Sequence, residues 1–250
     1  MPVIRTGSLI VTVAVASLRM HAAAADEIRV AVATNFSATM GALVVLFEHS
    51  SEHTVVLSAG STGNHYAQIR NGAPFDAFFA ADVERPTLLD QQGIAVAGSR
   101  FQYAVGRLVL WSPRPNFVDA EGRVLESGDF RFLALANPEL APYGAAAREV
   151  LLARDLWSTL QSKLARGQDI GQTYSFVHTG NAELGFVAYS QLKQPGEEIA
   201  GSYWLVPESL HRPIEQEAVL LRDVPAAREL VEFVKTPAAR DVIRSYGYGP

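Results

Sequence analysis

Four short stretches set small polar residues where a strand or loop gives way to a helix: Thr34-Asn35, Ser61-Thr62, Pro142-Tyr143 and Asp169-Ile170. The first backbone N–H groups of a helix have no acceptor within it, and the helix dipole leaves partial positive charge there. Hydroxyl and amide side chains beside such N–H groups make a place for an anion. Any one of these pairs, taken alone, reads equally as a helix cap. In open α/β sheets, ligands collect at the carboxyl ends of strands. Four such helix starts meeting there would hold a compact oxyanion with neutral donors and no cationic side chain. Neutral donors suit a small dianion, since no counter-charge has to be desolvated beside it. A fully deprotonated oxyanion only accepts hydrogen bonds, whereas monohydrogen phosphate also needs an acceptor. The first two turns carry no carboxylate, and Asp169 is the one acid near the set. The pattern therefore favours molybdate, tungstate or sulfate over phosphate.

Positioning these turns requires alternating strands and helices. Residues 28–33 form a short apolar run that predicts a buried strand, and Phe36, Met40, Leu43, Val44 and Phe47 follow at helical spacing. A second β-branched run at 54–58 leads into Ala59-Gly60-Ser61-Thr62-Gly63-Asn64 and a short helix over 65–70. No Lys follows the glycine there, which rejects a nucleotide-type phosphate loop. Further strands are predicted over 77–81, 103–111, 132–136, 183–188, 203–206 and 214–221. Helices are predicted over 84–91, 145–154, a short segment through Trp157, Leu160 and Leu164, then up to His178, and over 225–235 and 237–246. Residues 113–128, rich in Pro, Asn and Gly, read as a loop. This alternation argues for α/β architecture with largely parallel sheets. The runs at 103–111 and 214–221 allow a layout in which they carry the chain between two lobes.

The chain has 250 residues, 48% of them apolar and 19% charged, which is ordinary for a globular protein. Residues 1–25 differ: Arg5, the apolar run Ser8 to Leu18, then His21 and four alanines before Asp26. This reads as a secretory signal, too short for a finished membrane anchor. Its removal takes away Arg5 and Arg19 and no acid, so 19 basic and 26 acidic residues leave a balance of −7. No basic stripe remains for nucleic acid or anionic lipid. The chain has no cysteine, which excludes disulfides, thiol chemistry, Cys-ligated metal and a Cys-linked lipid anchor. These features together predict a freely soluble periplasmic protein.

Other chemistries find less support. Gly60-Ser61-Thr62-Gly63 lacks the frame of a serine nucleophile elbow. Glu197-Glu198 reads as a solvated pair in a loop. His49 and His53, with Glu48 and Glu52, have helical spacing suited to zinc, but Ser50-Ser51 predicts that the helix is ending. His65 follows the second turn and either packs there or leans towards the cleft, where it would make affinity pH-dependent.

Five stretches, in order, resemble periplasmic molybdate-binding proteins of ABC transporters. They are Ala33-Thr34-Asn35-Phe36, Ser58-Ala59-Gly60-Ser61-Thr62-Gly63, Gly72-Ala73-Pro74-Phe75-Asp76 with Ala80-Ala81-Asp82, Asn137-Pro138-Glu139 through Pro142-Tyr143-Gly144, and Glu183-Leu184-Gly185-Phe186-Val187. The resemblance covers essentially the whole mature chain and is nearest to the branch with a Thr-Asn pair in its first turn. It implies a two-lobe α/β periplasmic-binding-protein fold of type II, with mixed, mostly parallel sheets flanked by helices. Residues 26–104 with 216–250 would form one lobe and 105–215 the other. The oxyanion would be buried between lobes that close on it. The resemblance implies capture of molybdate or tungstate and delivery to a membrane permease, with no enzymatic chemistry, no cofactor and a monomeric chain. Its donors would be Asn35 with Thr34 beside it, Thr62 with Ser61 before it, and the backbone N–H groups of Tyr143 and Ile170. In some members a ligand-binding Tyr stands in the late strand, where this chain has Ala188. Tyr189 is adjacent, but a shift of one residue in a strand reverses the face, so that contact is not carried over. A carrier or sensor of another oxyanion such as sulfate is the alternative on the same fold.

Overall fold

The computed structural model describes residues 26–249, so the signal-like segment lies outside the described residues. Strands and helices alternate as β1 (Glu27–Ala33), α1 (Ser37–Ser50), β2 (Thr54–Gly60), α2 (Thr62–Arg70), β3 (Ala77–Phe79), α3 (Glu84–Gln91) and β4 (Phe101–Gly106). There follow β5 (Leu108–Ser112), α4 (Val124–Ser127), β6 (Leu133–Ala136), α5 (Pro142–Ala153), α6 (Trp157–Leu160), β7 (Leu164–Gly167) and α7 (Ile170–His178). The last elements are β8 (Leu184–Ala188), α8 (Tyr189–Leu192), β9 (Ser202–Leu205), β10 (Ile214–Leu220), α9 (Pro225–Val234) and α10 (Pro237–Ser245).

Two five-stranded sheets result, in the orders β2-β1-β3-β10-β4 and β7-β6-β8-β5-β9. In each sheet one strand runs against the other four. Strand β10 is antiparallel to β3 and β4 in the first, and β5 is antiparallel to β8 and β9 in the second. The run at 103–111 is therefore two strands. Its first part ends at Gly106 in one sheet, and its second begins at Leu108 in the other. The chain crosses between lobes at Arg107 and returns between β9 and β10.

Burial explains why each sheet keeps helices on both faces. In β1, Ile28, Val30 and Val32 face α1, α9 and α10 through Met40, Leu43, Phe47, Leu230 and Ile243. Ala31, Phe78 and Val219 face the other way, against Ile69 of α2 and Leu89 of α3. Residues 36, 40, 43 and 47 lie on one helical stripe, and each fully buried Leu or Phe contributes about 1.5–3 kcal/mol. The second sheet packs Leu108, Leu110, Leu133, Leu135 and Phe186 against Val150 and Leu151 of α5. Its opposite face packs Val109, Trp111 and Val187 on Val177 of α7.

Some elements differ from the sequence expectation. Leu164 opens the edge strand β7 instead of closing a helix; in β7 only Gly167 is buried, so no apolar alternation marks it. The loop over 113–128 contains the single turn α4. Helices α2 and α5 start at Thr62 and Pro142, earlier than the apolar periodicity begins, because their first turns carry polar and small residues. Among the described residues, no helix is long and apolar enough to cross a membrane.

Candidate functional site

All six sequence-predicted site residues, Thr34, Asn35, Ser61, Thr62, Tyr143 and Ile170, line one cavity between the two sheets. Ala33, Gly60, Ala81, Ala141, Pro142 and Asp169 complete its wall. It encloses about 200 Å³ of atom-free space, part of it open to solvent. Its cavity volume proper is about 10 Å³, room for about one water-sized group and far below the roughly 300–1,000 Å³ of pockets for drug-sized ligands.

Each wall is the junction of a strand or loop with a helix. Strand β1 ends at Ala33 and passes through a 3-10 turn over Thr34–Phe36 into α1. Strand β2 ends at Gly60, and Ser61 caps α2 by accepting from Asn64 N at 3.2 Å. Thr62 Oγ1 accepts from Ala81 N at 3.0 Å, which ties the second turn to the end of β3. Helix α5 starts with Pro142, and α7 is capped by Asp169, whose Oδ1 accepts from Gln172 N at 2.9 Å. Thr62, Tyr143 and Ile170 stand in first turns, so their N–H groups have no intrahelical acceptor. The Ser61 and Thr62 oxygens accept from the backbone, so their hydroxyl hydrogens are left for another acceptor. The Thr34 hydroxyl oxygen is buried and has no hydrogen-bond partner among the described residues.

In the first turn the Asn35 amide, the expected ligand donor, is bonded within the protein in this structure. Asn35 Nδ2 donates to Gln216 Oε1 at 2.9 Å and to the Tyr248 hydroxyl at 3.2 Å, so both its hydrogens are used within the protein. The free side-chain donor beside it is Thr34. Asn35 O accepts from Tyr248 at 2.7 Å and from Ser190 Oγ at 2.9 Å. Sequence reasoning missed Gln216, Tyr248, Ser190 and Tyr103. One signal was present: in β10 the inward positions read Ile214, Gln216, Ala218, and an amide in that apolar series needs buried partners.

The cavity wall carries no Lys, Arg or His, and Asp169 is its one charged residue. Further out, Asp82 pairs with Arg85, and Arg85 Nη2 donates to Glu139 O at 3.0 Å across the cleft. Burial raises the Asp82 pKa, partly offset by the Arg85 charge. Gly63 N donates to Leu140 O at 2.9 Å, also across the cleft. The Thr34 methyl rests on Gly171, where a Cβ would overlap it. Burial raises the pKa of Tyr103, Tyr143 and Tyr248, so these phenols keep their protons.

Other singled-out residues lie elsewhere. His65 is buried behind Gly60, with its ring edge-on to Phe75 and Phe78 at 5.8 and 6.1 Å, and it does not line the cavity. Burial lowers its pKa, and both its ring nitrogens are buried without a hydrogen-bond partner among the described residues. Tyr189 opens α8 and lies under the Arg107 guanidinium at 5.1 Å, away from the cavity. Glu48 accepts from Val55 N, while His53 accepts from Asp26 N and stands 3.5 Å from Glu229, so these two members of the zinc-spaced set are engaged separately, and the described residues hold no cluster of three or more metal-ligating side chains. Glu197 and Glu198 are exposed in a loop.

Comparison with known proteins agrees with this architecture. A model of the bacterial extracellular solute-binding protein family matches residues 28–249. A molybdate-binding protein of Azotobacter vinelandii is 51% identical over 237 residues, covering 94% of each chain. One from Rhodobacter capsulatus is 48% identical over 229 residues, covering 90% of this chain and 89% of its own. The solved structure of an Azotobacter vinelandii periplasmic molybdate-binding protein superposes with a TM-score of 0.87 at 41% identity, covering 89% of this chain and 99% of that one. With its two mixed sheets and the cavity between them, this chain belongs to the bacterial extracellular solute-binding protein family.

Proposed function

We propose that this chain is the substrate-binding component of an ABC importer, and that it captures molybdate or tungstate in the cavity between its lobes and delivers it to a membrane permease. The observation that carries this reading is the convergence of four polar turns on one small cavity walled by neutral donors, with an unpartnered hydroxyl at Thr34. The high identity to two molybdate-binding proteins supports the ion. The hydroxyls of Thr34, Ser61 and Thr62 and the N–H groups of Thr62, Tyr143 and Ile170 would donate to the oxygens of the dianion. The Asp169 carboxylate caps α7 through Gln172 N. That bond uses one carboxylate oxygen and leaves the other as an acceptor on the wall, so the preference against monohydrogen phosphate rests on the other three turns, which carry no carboxylate.

The lobes are proposed to divide near 104/105 and 215/216, a few residues from where the chain changes sheets. The protein would act as a periplasmic monomer without a lipid anchor, cofactor or catalytic step. The test is thermal unfolding of the mature chain with molybdate, tungstate, sulfate and phosphate in turn. A ligand at about a thousand times its Kd adds roughly 4 kcal/mol of stability. A large shift with molybdate and tungstate and little with sulfate is expected. A shift with sulfate or phosphate alone would overturn the assigned ion, and no shift with any of the four would overturn the oxyanion site.

A further inference from the structure

We propose that Gln216, which does not line the cavity, is a positioning residue for oxyanion binding. It joins the first-lobe turn at Asn35 to the second-lobe turn at Tyr143 in one hydrogen-bonded set. The proposal rests on the reading of the cavity as an oxyanion site.

Gln216 is fully buried in β10, between Ile214 and Ala218 on the inward side of the strand. An amide there is costly unless its polar atoms are satisfied. Both are: Oε1 lies 2.9 Å from Asn35 Nδ2 and 2.9 Å from the Tyr103 hydroxyl, and Nε2 donates to the Tyr143 hydroxyl at 3.1 Å. The backbone is shaped for this arrangement. Gln216 pairs with Ala104 and Glu217 with Gln102, so Tyr103 is an extra residue on β4 at this point of the ladder. Such bulges re-aim side chains, and this one sets the Tyr103 hydroxyl beside the Gln216 amide. At the end of β4, a Cβ on Gly106 would overlap the Tyr143 hydroxyl and come within 2.5 Å of Gln216 Nε2. Only a glycine lets the crossing strand pass this close to the pair.

The two ends of the set are ligand turns. Asn35, held by Gln216 through its side chain and by Tyr248 and Ser190 through its carbonyl, fixes the peptide plane next to the Thr34 hydroxyl. Tyr143, held through its phenol, fixes the first turn of α5, which lines the cavity and where its own N–H has no intrahelical acceptor. Tyr143 and Ser190 lie in helices flanking the second sheet, while Asn35 and Gln216 belong to the first. The same bonds thus align donors from both lobes on one ion.

The test measures molybdate association and release rates for wild type, Gln216→Met, Tyr143→Phe and the double variant, with ligand-free melting followed in parallel. Met keeps the volume and loses every hydrogen bond, and Phe removes only the Gln216–Tyr143 bond. Gln216→Met is expected to speed release about tenfold or more, with association within about threefold of wild type. Tyr143→Phe should speed release at least about threefold, and the double variant should resemble Gln216→Met within about twofold, because the same bond is lost in both. A purely structural role would lower ligand-free melting and leave the release rate unchanged, which would overturn the proposal. Independent, multiplying effects would also overturn it. If Gln216→Met does not fold, Tyr143→Phe decides alone: wild-type release in that variant refutes the coupling. A wild-type chain that binds no oxyanion refutes the functional reading itself, and that result is distinct from binding with unaltered release in the variants.

Discussion

Replacing Thr34 with Val separates binding from folding. In most binding sites, removing a polar side chain weakens the ligand and the fold together, because the group also bonds to protein. The Thr34 hydroxyl oxygen is buried with no partner among the described residues, while its methyl packs on Gly171. Val keeps the methyl and the branched shape and removes only the hydroxyl. In the ligand-free protein this relieves a buried unpaired polar group, so stability should hold or rise by about 1 kcal/mol. A gain of that size in a chain this long raises melting by roughly 2–4 °C. In the complex, one donor to a charged oxygen is lost, which costs about 1.5–3 kcal/mol, or roughly 10- to 150-fold in Kd. Thr34→Ser restores the hydroxyl and should bind within about threefold of wild type. Titration calorimetry with molybdate and scanning calorimetry of the ligand-free protein measure the two effects. Wild-type affinity in Thr34→Val, or a fold weakened as much as the binding, would refute the assignment of this hydroxyl to the ion.

Gly171→Ala should weaken molybdate binding at least about tenfold, since the new methyl meets Thr34 across the cleft; equal affinity by calorimetry would show that the lobes need not approach this closely. Arg85→Ala removes the bond to Glu139 O across the cleft and leaves the Asp82 carboxylate without its partner, so stopped-flow release should quicken several-fold. An unchanged release rate would assign Arg85 to its own lobe alone. Burial holds the His65 pKa below its ordinary value, so the unfolded chain binds more protons as pH falls. Its contribution is complete above about pH 6.5 and declines below it by at most about 1.4 kcal/mol per pH unit until the folded-state pKa is reached. His65→Phe should remove that part of the slope in urea titrations from pH 7 to 5, and an identical slope would place the acid sensitivity elsewhere.

The alternation of strands and helices was legible because β1, β3, β6 and β8 are short apolar runs bounded by polar turns. Two of the four polar turns, at Thr34-Asn35 and Ser61-Thr62, were legible for the same reason: each follows an apolar or β-branched run that stops abruptly. What failed was local signal. Strand β7 is held by pairing with β6 on one side only, and Leu-Ala-Arg-Gly shows no face. The break at Arg107 is invisible because both flanking strands are apolar, and only the change of sheet separates them. The bonding of the Asn35 amide within the protein was beyond reach from sequence as well. It depends on Gln216 and Tyr248, 181 and 213 residues further along, arriving beside the same turn.

The chain carries 26 acidic against 21 basic residues, yet the ion proposed for its cleft is a dianion. The long-range field cannot supply the attraction, since charges beyond about 8–10 Å are screened at physiological salt. Short-range donors must supply it: first-turn N–H groups, and hydroxyls on oxygens already fixed by Asn64 N and Ala81 N. Dipoles in contact with the ion are buried with it and are hardly screened. Affinity for molybdate should therefore change by less than about threefold between 50 and 500 mM sodium chloride. A cationic site would weaken steeply over that range. A steep fall, measured by titration at fixed pH, would mean that Arg85, Arg148 or Arg212, which line a separate groove beyond Pro142, reaches the ion. The neutral-donor account of selectivity would then fail with it, because a mobile cation accommodates a protonated or a bare oxyanion alike.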